Sequence, residues 1–436
     1  MSKKFPRTIF FGWWMVIASG LLRLWGHGFH AYGFSAMFKP LSAELGFSRA
    51  ATSFAASITR LEGGLEAPLV GYLTDKYGPR IIVVTGIAFA GLGLIGMYWI
   101  NSLISFYLVW AVLCSTGTNI SLGMPQDVAI ANWFIRKRGT AFGIVRVFSG
   151  LSGVIGLAIV AWLLSMYGWR TTCVIGGVVL LAGGLPLSWF FIKPKRPEHY
   201  GLLPDGASPE TAETKDEEEA KIDYTAEINE VNFTTRQAMR TSAFWMLIAA
   251  YMFHGALYPV MNIHCIPFLT DRGMDPLTAA ATMGIYISTS IPARFLAGLL
   301  VDRVSTGSIR FLMAGIYFLQ SLGVALFLIK PESLIMLYAF FILYGFGMGA
   351  AMTMTPVIRA RYYGRMHFGT IAGISRAFNM PVGFLGPIAA GWIYDTTGSY
   401  MSAFVLFAIL LFVSAFIMAL AAPPKPPKNA VEAATA

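Results

Sequence analysis

A chain of 436 residues that is 56% hydrophobic and only 12% charged does not have the composition of a soluble enzyme. Its net charge of +10 does not point to nucleic acid, because the basic residues are segregated along the chain. Of 32 Lys and Arg, 22 fall on the side of the N-terminus, five opposite (Lys39, Arg49, Arg170, Arg272, Lys330) and five inside apolar runs, which places both termini in the cytoplasm by the positive-inside rule.

Twelve apolar runs long enough to cross ~30 Å of hydrocarbon occupy approximately residues 10–36, 51–74, 81–100, 103–132, 139–165, 170–192, 243–269, 277–301, 309–329, 333–357, 369–394 and 400–421. They are continuously apolar rather than alternating at period two, so helices are expected and not a barrel. The expected fold is an all-α membrane protein of twelve transmembrane helices in two pseudo-symmetric six-helix halves, embedded in the lipid bilayer of the inner or plasma membrane. Lys3, Lys4 and Arg7 lead into a run too long for a signal peptide, without a small-residue cleavage pattern, and this reads as the first span. Residues 1–192 form the first half and 242–421 the second. Between them, 193–241 turns polar, with Pro194, Pro197, Pro204, Pro209 and the acidic run Asp216–Glu219. It is expected to be a cytoplasmic linker, disordered in its middle and helical near 234–240. The tail, 422–436, is expected to be disordered.

Cys114, Cys173 and Cys265 all fall within spans, so neither a disulfide framework nor a metal cluster is indicated. No phosphate-cradling loop or hydrolase constellation occurs, which implies no enzyme, no cofactor and no ATP drive. Connections such as Asn101-Ser102 and Asp75 to Arg80 are too short to fold as a domain, so the function must sit among the helices.

The two halves echo each other. Gly71-Tyr-Leu-Thr-Asp75-Lys76 returns as Gly298-Leu-Leu-Val-Asp302-Arg303, 227 positions later. Gly139-Thr-Ala-Phe-Gly143-Ile-Val-Arg146 returns as Gly369-Thr-Ile-Ala-Gly373-Ile-Ser-Arg376, at an offset of 230. Duplicated helical halves suit alternating access, in which one half rocks against the other.

The stretch Gly71-x-Leu73-x-Asp75-Lys76-x-Gly78-x-Arg80 resembles the signature loop of the major facilitator superfamily. Within it the chain resembles the monocarboxylate and oxalate:formate transporter group. That likeness rests on Trp133-Phe134 with Arg138-Gly139-x-Ala141-x-Gly143, on Arg196-Pro197-Glu198 with Gly201-Leu-Leu-Pro204-Asp205-Gly206, on Ala243-Phe244-Trp245, on His264-x-Ile266-Pro267-Phe268 and on Ile291-Pro292-x-Arg294. It implies that Asp75 accepts hydrogen bonds from the N-terminus of the eleventh helix and locks the cytoplasmic side shut. Lys76, Arg80, Asp302 and Arg303 join it as gate candidates. Arg80, Arg136 and Arg138 are either latch partners or plain topology charges.

Ionisable residues at membrane depth are functional candidates because burying them is costly. Arg294, near mid-depth in the eighth span, comes first. Animal monocarboxylate carriers are expected to carry an Asp four positions earlier, where this chain has Ser290. An unneutralised guanidinium suits bidentate binding of a carboxylate; its structural alternative is an ion pair with another helix. His264 is a candidate for a substrate hydrogen bond or the coupling proton, against a plain packing role. His254 lies off that face and reads as packing. Asn119, behind Gly117-Thr118, fits either a cavity wall or tight helix packing. His30 and His27 share a face of the first helix, and His30 is a further cavity candidate. Arg23 is expected to pair with Glu62 or Glu66, which share a face and are themselves proton-carrier candidates. Arg146 and Arg376 hold equivalent repeat positions, which argues for a shared gate role, with Asp127 a partner for Arg146. Oxalate exchangers of the group are expected to carry a Lys where Asn379 stands, and this weighs against a dicarboxylate.

The reading is a secondary transporter of a small organic monoanion, acting as a monomer and driven by a coupling proton. Alternatives are an oxalate/formate-type exchanger, an amphiphile exporter, and a membrane sensor signalling through the acidic linker. Ser149-Gly-Leu-Ser-Gly153 lacks the Gly-Pro motif expected of drug exporters, which lowers that option.

Overall fold

The computed structural model describes residues 9–207 and 232–427; Lys3, Lys4, Arg7, the acidic run Asp216–Glu219 and the last nine residues lie outside the described residues. Among the described residues there are helices and turns and no strand. Twelve long helices follow the expected runs. In α1, Phe11–His27 continues through a π-helical turn, Gly28–Tyr32, into Gly33–Leu45. Next come α2 (Arg49–Leu65 and Ala67–Tyr77), α3 (Pro79–Gly96) and α4 (Leu103–Trp133). The helical run Arg138–Phe191 is two helices, α5 and α6, divided at Gly168, whose φ of 71° and ψ of 170° reverse the chain in a conformation glycine adopts readily. The second half comprises α7 (Ser242–Gly255 and Leu257–Thr270), α8 (Pro276–Asp302), α9 (Ile309–Ile329), α10 (Leu334–Tyr363), α11 (Phe368–Thr397) and α12 (Met401–Leu420). The start of α1, the end of α12 and the described ends of the linker therefore share one face, called here the terminal face.

By length and hydropathy, eight stretches qualify as membrane spans, one of them the 54-residue α5–α6 run. The helices outside that set are α1, α2 and α11. Their hydropathy is lowered by Arg23, Glu62, Glu66, Arg376 and Asn379, which a helix can carry at depth only where it faces protein or a cavity.

Three helices break where proline removes an N–H from the ladder. α2 breaks at Glu66, just ahead of Pro68, and α7 at Ala256, ahead of Pro259. α4 breaks at Leu122–Gly123, ahead of Pro125; Gly123 has φ −114° and ψ −115°.

On the terminal side the halves meet through α2 against α11 and α5 against α8, and both contacts use glycine to bring backbones together. A Cβ on Gly71 would lie 2.2 Å from the Gly369 carbonyl, and one on Gly298 would lie 2.3 Å from the Gly139 carbonyl. Any larger side chain would push the helices apart. The linker is ordered at both ends. Asp205 caps the α4–α5 corner by accepting from the N–H groups of Ile135, Arg136 and Lys137, each at 3.0 Å. Asn232 caps the equivalent α10–α11 corner, accepting from Arg365 and Met366 at 2.8 and 2.9 Å. The expected helix near 234–240 is present as one turn, Thr235–Met239, closed by a reciprocal capping box between Thr234 and Gln237.

Candidate functional site

Two carboxylates close the terminal side. Asp75, at the end of α2, accepts from the backbone N–H groups of Gly369 (2.9 Å) and Thr370 (2.7 Å) and from the Thr370 hydroxyl (2.7 Å). Asp302, at the end of α8, accepts from Gly139 N–H (2.6 Å), Thr140 N–H (2.8 Å) and the Thr140 hydroxyl (2.6 Å). Each carboxylate thus caps the N-terminus of a helix in the opposite half, where free N–H groups and the helix dipole favour negative charge. The cations beside them go elsewhere. Lys76 lies over the rings of Tyr72 and Tyr77, Arg80 donates to the Ile192 carbonyl at 2.8 Å, and Arg303 is exposed. A carboxylate already met by three donors needs no counter-cation.

Inside the first half, Asp127 on α4 bridges two arginines. Arg23 donates to one carboxylate oxygen and Arg146 to the other, both at 2.7 Å. Arg23 is fully buried and also donates to Gln126 (2.7 Å) and to the carbonyl of Gly123 (2.8 Å), the residue at the break in α4. The expected pairing of Arg23 with Glu62 or Glu66 is therefore corrected. The α4 segment at the break sets Asp127 and the Gly123 carbonyl against α1, whereas the two glutamates face the other half. The expected partnership of Arg146 with Asp127 is present.

In the second half, Arg294 is 7% exposed and has no carboxylate partner among the described residues. It donates to the Arg146 carbonyl at 2.7 Å and to the Ser290 hydroxyl at 3.3 Å, while its Nε is buried without a partner. Tyr32, Tyr258 and Tyr286 lie within electrostatic reach. Its hydrogen bond to α5 makes Arg294 a cross-half contact as well as an unneutralised cation.

A second polar group lies between the halves at mid-depth. Glu62, Glu66 and Asn119 are partly exposed, and Arg376 is exposed although it sits well inside α11. Arg376 donates to Asn119 at 3.4 Å, and a Cβ on Gly63 would lie 2.7 Å from its Nη2, so its open side faces the first half and not lipid. Asn119 in turn donates to the Thr59 carbonyl at 3.4 Å. One carboxylate oxygen each of Glu62 and Glu66, and the amide oxygen of Asn379, are buried without a hydrogen-bond partner. Among the described residues, no hydrogen bond joins the halves farther from the terminal face than this one. The polar residues therefore line a cleft closed toward the termini.

His264 and His254 sit apart from these groups, whereas His27 lies within electrostatic reach of Arg23, Arg146 and Arg294. His264 has both ring nitrogens engaged, Nδ1 with the Tyr400 hydroxyl at 3.1 Å and Nε2 with the Pro387 carbonyl at 3.0 Å. A neutral ring donating from Nε2 and accepting at Nδ1 satisfies both. His30 is buried, stacked on Trp110 at 4.8 Å and bonded to Ser115 at 3.2 Å. His254 packs on Tyr317 and bonds Gln320 at 2.8 Å, the packing role its register suggests. Asn379 donates to the Ser375 carbonyl of its own helix at 2.8 Å.

Three broken helices at depth, a latch on one face, a cleft between pseudo-symmetric halves and, beside it, arginines with no salt bridge among the described residues define a multi-pass membrane transporter. The sequence pattern of the Major Facilitator Superfamily matches residues 21–343 and 310–436, and the chain belongs to that family. Among its relatives, monocarboxylate transporter 13 of Rattus norvegicus is 26% identical over 434 residues, covering 93% of this chain and 88% of that protein. The human organic anion transporter MFSD10 superposes with a TM-score of 0.69 at 15% identity, covering 93% of this chain and 98% of the other. The proton:xylose symporter XylE also superposes at 0.69, with 12% identity over 94% and 95%. One fold thus carries an organic-anion transporter and a sugar symporter, so the substrate must be argued from the site.

Proposed function

We propose that the protein is a proton-coupled carrier of a small monocarboxylate, working as a monomer in the inner or plasma membrane with its terminal face in the cytoplasm. The observation that carries this reading is Arg294, a buried guanidinium at depth whose contacts are one carbonyl and one hydroxyl and no acid. A cation left unneutralised in low dielectric gains most from a carboxylate that enters and pairs with it, and the planar fork fits both carboxylate oxygens. The relatedness to monocarboxylate transporters supports the same substrate class.

Proton coupling falls to Glu62 and Glu66. They belong to the first half, face Arg376 of the second across the cleft, and each has a carboxylate oxygen lacking a donor. Protonating Glu66 weakens its attraction for Arg376 and frees one cross-half contact, which links proton binding to relative movement of residues 1–192 and 242–421. Asn119 sits between them and holds Arg376 in place. His264 positions α7 against α11 and α12 in this account, and His30 holds α1 against α4. Asn379 lies one helical turn from Arg376 and offers an amide to the substrate's non-carboxylate end.

The test is uptake of labelled lactate into proteoliposomes. Arg294→Gln is expected to lose about 100-fold in uptake, in line with the ~2–5 kcal/mol carried by a buried charge-assisted contact, and Arg294→Lys most of that. Wild-type uptake by either variant sinks the anchor assignment.

A further inference from the structure

Three of the histidines within the helices have their ring nitrogens engaged: His30 with Ser115, His254 with Gln320, and His264 with Tyr400 and the Pro387 carbonyl. His27 is the exception. Among the described residues neither of its ring nitrogens has a hydrogen-bond partner, and the side chain is only partly exposed. It is the last residue before the π-helical turn Gly28–Tyr32, and such turns inside α-helices are frequent at functional sites.

The direction of His27 follows from its neighbours. Trp14, Ile17 and Leu21 are large exposed residues that mark the outward side of α1. At about 100° per residue, His27 lies across the helix axis from them. Within its electrostatic reach are Arg23 and His30 of its own helix, Arg146 of α5 and Arg294 of α8, which come from both halves. The open side of the imidazole therefore faces the space between the halves, on the same side as Arg294, and not lipid.

We infer that His27 recognises the oxygen on the carbon beside the substrate carboxylate, so that the carrier selects 2-hydroxy and 2-oxo acids over acids lacking that oxygen. The inference rests on the proposed anchoring of the carboxylate by Arg294. A neutral imidazole has one N–H donor and one bare acceptor nitrogen. The bare nitrogen accepts from a 2-hydroxyl, and the N–H donates to a 2-oxo oxygen. An unsubstituted acid meets neither and leaves the ring without a partner at depth, which is unfavourable. Arg294 reads only the carboxylate, and the other three histidines would have to give up existing contacts to do the same work.

The test is equilibrium binding of labelled lactate, pyruvate and propionate to the purified protein, since these acids share a carbon skeleton and differ beside the carboxylate. Wild type is expected to bind lactate and pyruvate alike and about 5- to 10-fold more tightly than propionate. In His27→Leu this preference should fall to about twofold or less, whereas His27→Gln, which keeps a donor and an acceptor, should retain part of it. A merely structural role would weaken all three acids together; a wild-type ratio in His27→Leu therefore overturns the assignment. Equal affinity of wild type for the three acids overturns it without any variant, should His27→Leu fold poorly. Arg294→Gln separates this from the anchor, because it should weaken all three acids alike. Wild-type affinity in Arg294→Gln would sink the anchor, and no binding of any acid by wild type would sink both readings.

Discussion

The two halves handle an arginine at equivalent repeat positions in opposite ways. In the first, Arg146 shares Asp127 with Arg23, so two cations and an acid form a closed ionic group. In the second, the equivalent Arg376 is exposed in the cleft. The offset of 230 that aligns the two arginines puts buried Val357 where Asp127 stands in the first half. Arg294, also in the second half, has no acid either, and its own repeat position is Ala67. The latches show the reverse. Asp75 and Asp302 make the same three hydrogen bonds to the same kind of helix end. Parts that must close one face in concert are kept in both halves, whereas the unneutralised charge is confined to one.

This contrast can be broken most violently at Asp127. Asp127→Ala strands two buried guanidinium groups and is expected to destabilise the protein by about 3–5 kcal/mol, seen as a large drop in the detergent unfolding midpoint. Asp127→Asn should fall between that variant and wild type. The converse change, Val357→Asp, supplies the second half with the missing acid. It is expected to draw Arg376 away from Asn119 and cut uptake about 10-fold, a loss worth ~1.4 kcal/mol; unchanged uptake would show that the freedom of Arg376 is unimportant.

Opening one latch is a smaller perturbation. Asp75→Asn keeps an acceptor but removes the charge facing the α11 N-terminus, worth about 1–2 kcal/mol. It should raise thiol labelling, from the terminal face, of a cysteine introduced at Thr74, and Asp302→Asn should act alike on a cysteine at Val301. A strong effect at one latch and none at the other would contradict their equivalence. The smallest effect is expected at His264→Gln. Loss of the two contacts to Tyr400 and Pro387 should cost about 1 kcal/mol of stability and less than a threefold change in uptake.

Most of the architecture was legible because it rests on local chemistry. Apolar runs gave the helices, the resemblance of Gly71–Arg80 to the superfamily's signature loop pointed to the Asp75 contact, and helical register put His254 on a packing face. What the sequence hid depends on neighbours in space. Arg23 has no acid nearby on its own helix, and it is the α4 segment at the Gly123 break that brings Asp127 and the Gly123 carbonyl to it. The signals were there, a glycine followed by Pro125, but nothing in spacing alone says which helix lies opposite. Likewise Asp205 and Asn232 sit in a polar segment that reads as linker, yet each caps a corner of its own half. Arg359 lies just beyond the apolar run 333–357, yet it is within α10 and over Phe368. The engagement of both His264 nitrogens depends on Pro387 exposing a carbonyl in α11, a tertiary fact.

The central proposal is that Arg294 holds the substrate carboxylate because no acid among the described residues neutralises it. The direct measurement is equilibrium binding of labelled lactate to the purified protein, comparing wild type, Arg294→Gln and Ser290→Asp. Ser290 already touches Arg294 at 3.3 Å, so an Asp there supplies the absent counter-ion from within the helix. Both variants are expected to lose binding at neutral pH, and Ser290→Asp alone should regain it as the medium is acidified and the new carboxyl takes up a proton. Wild-type affinity in Arg294→Gln, or in Ser290→Asp at neutral pH, would contradict the account.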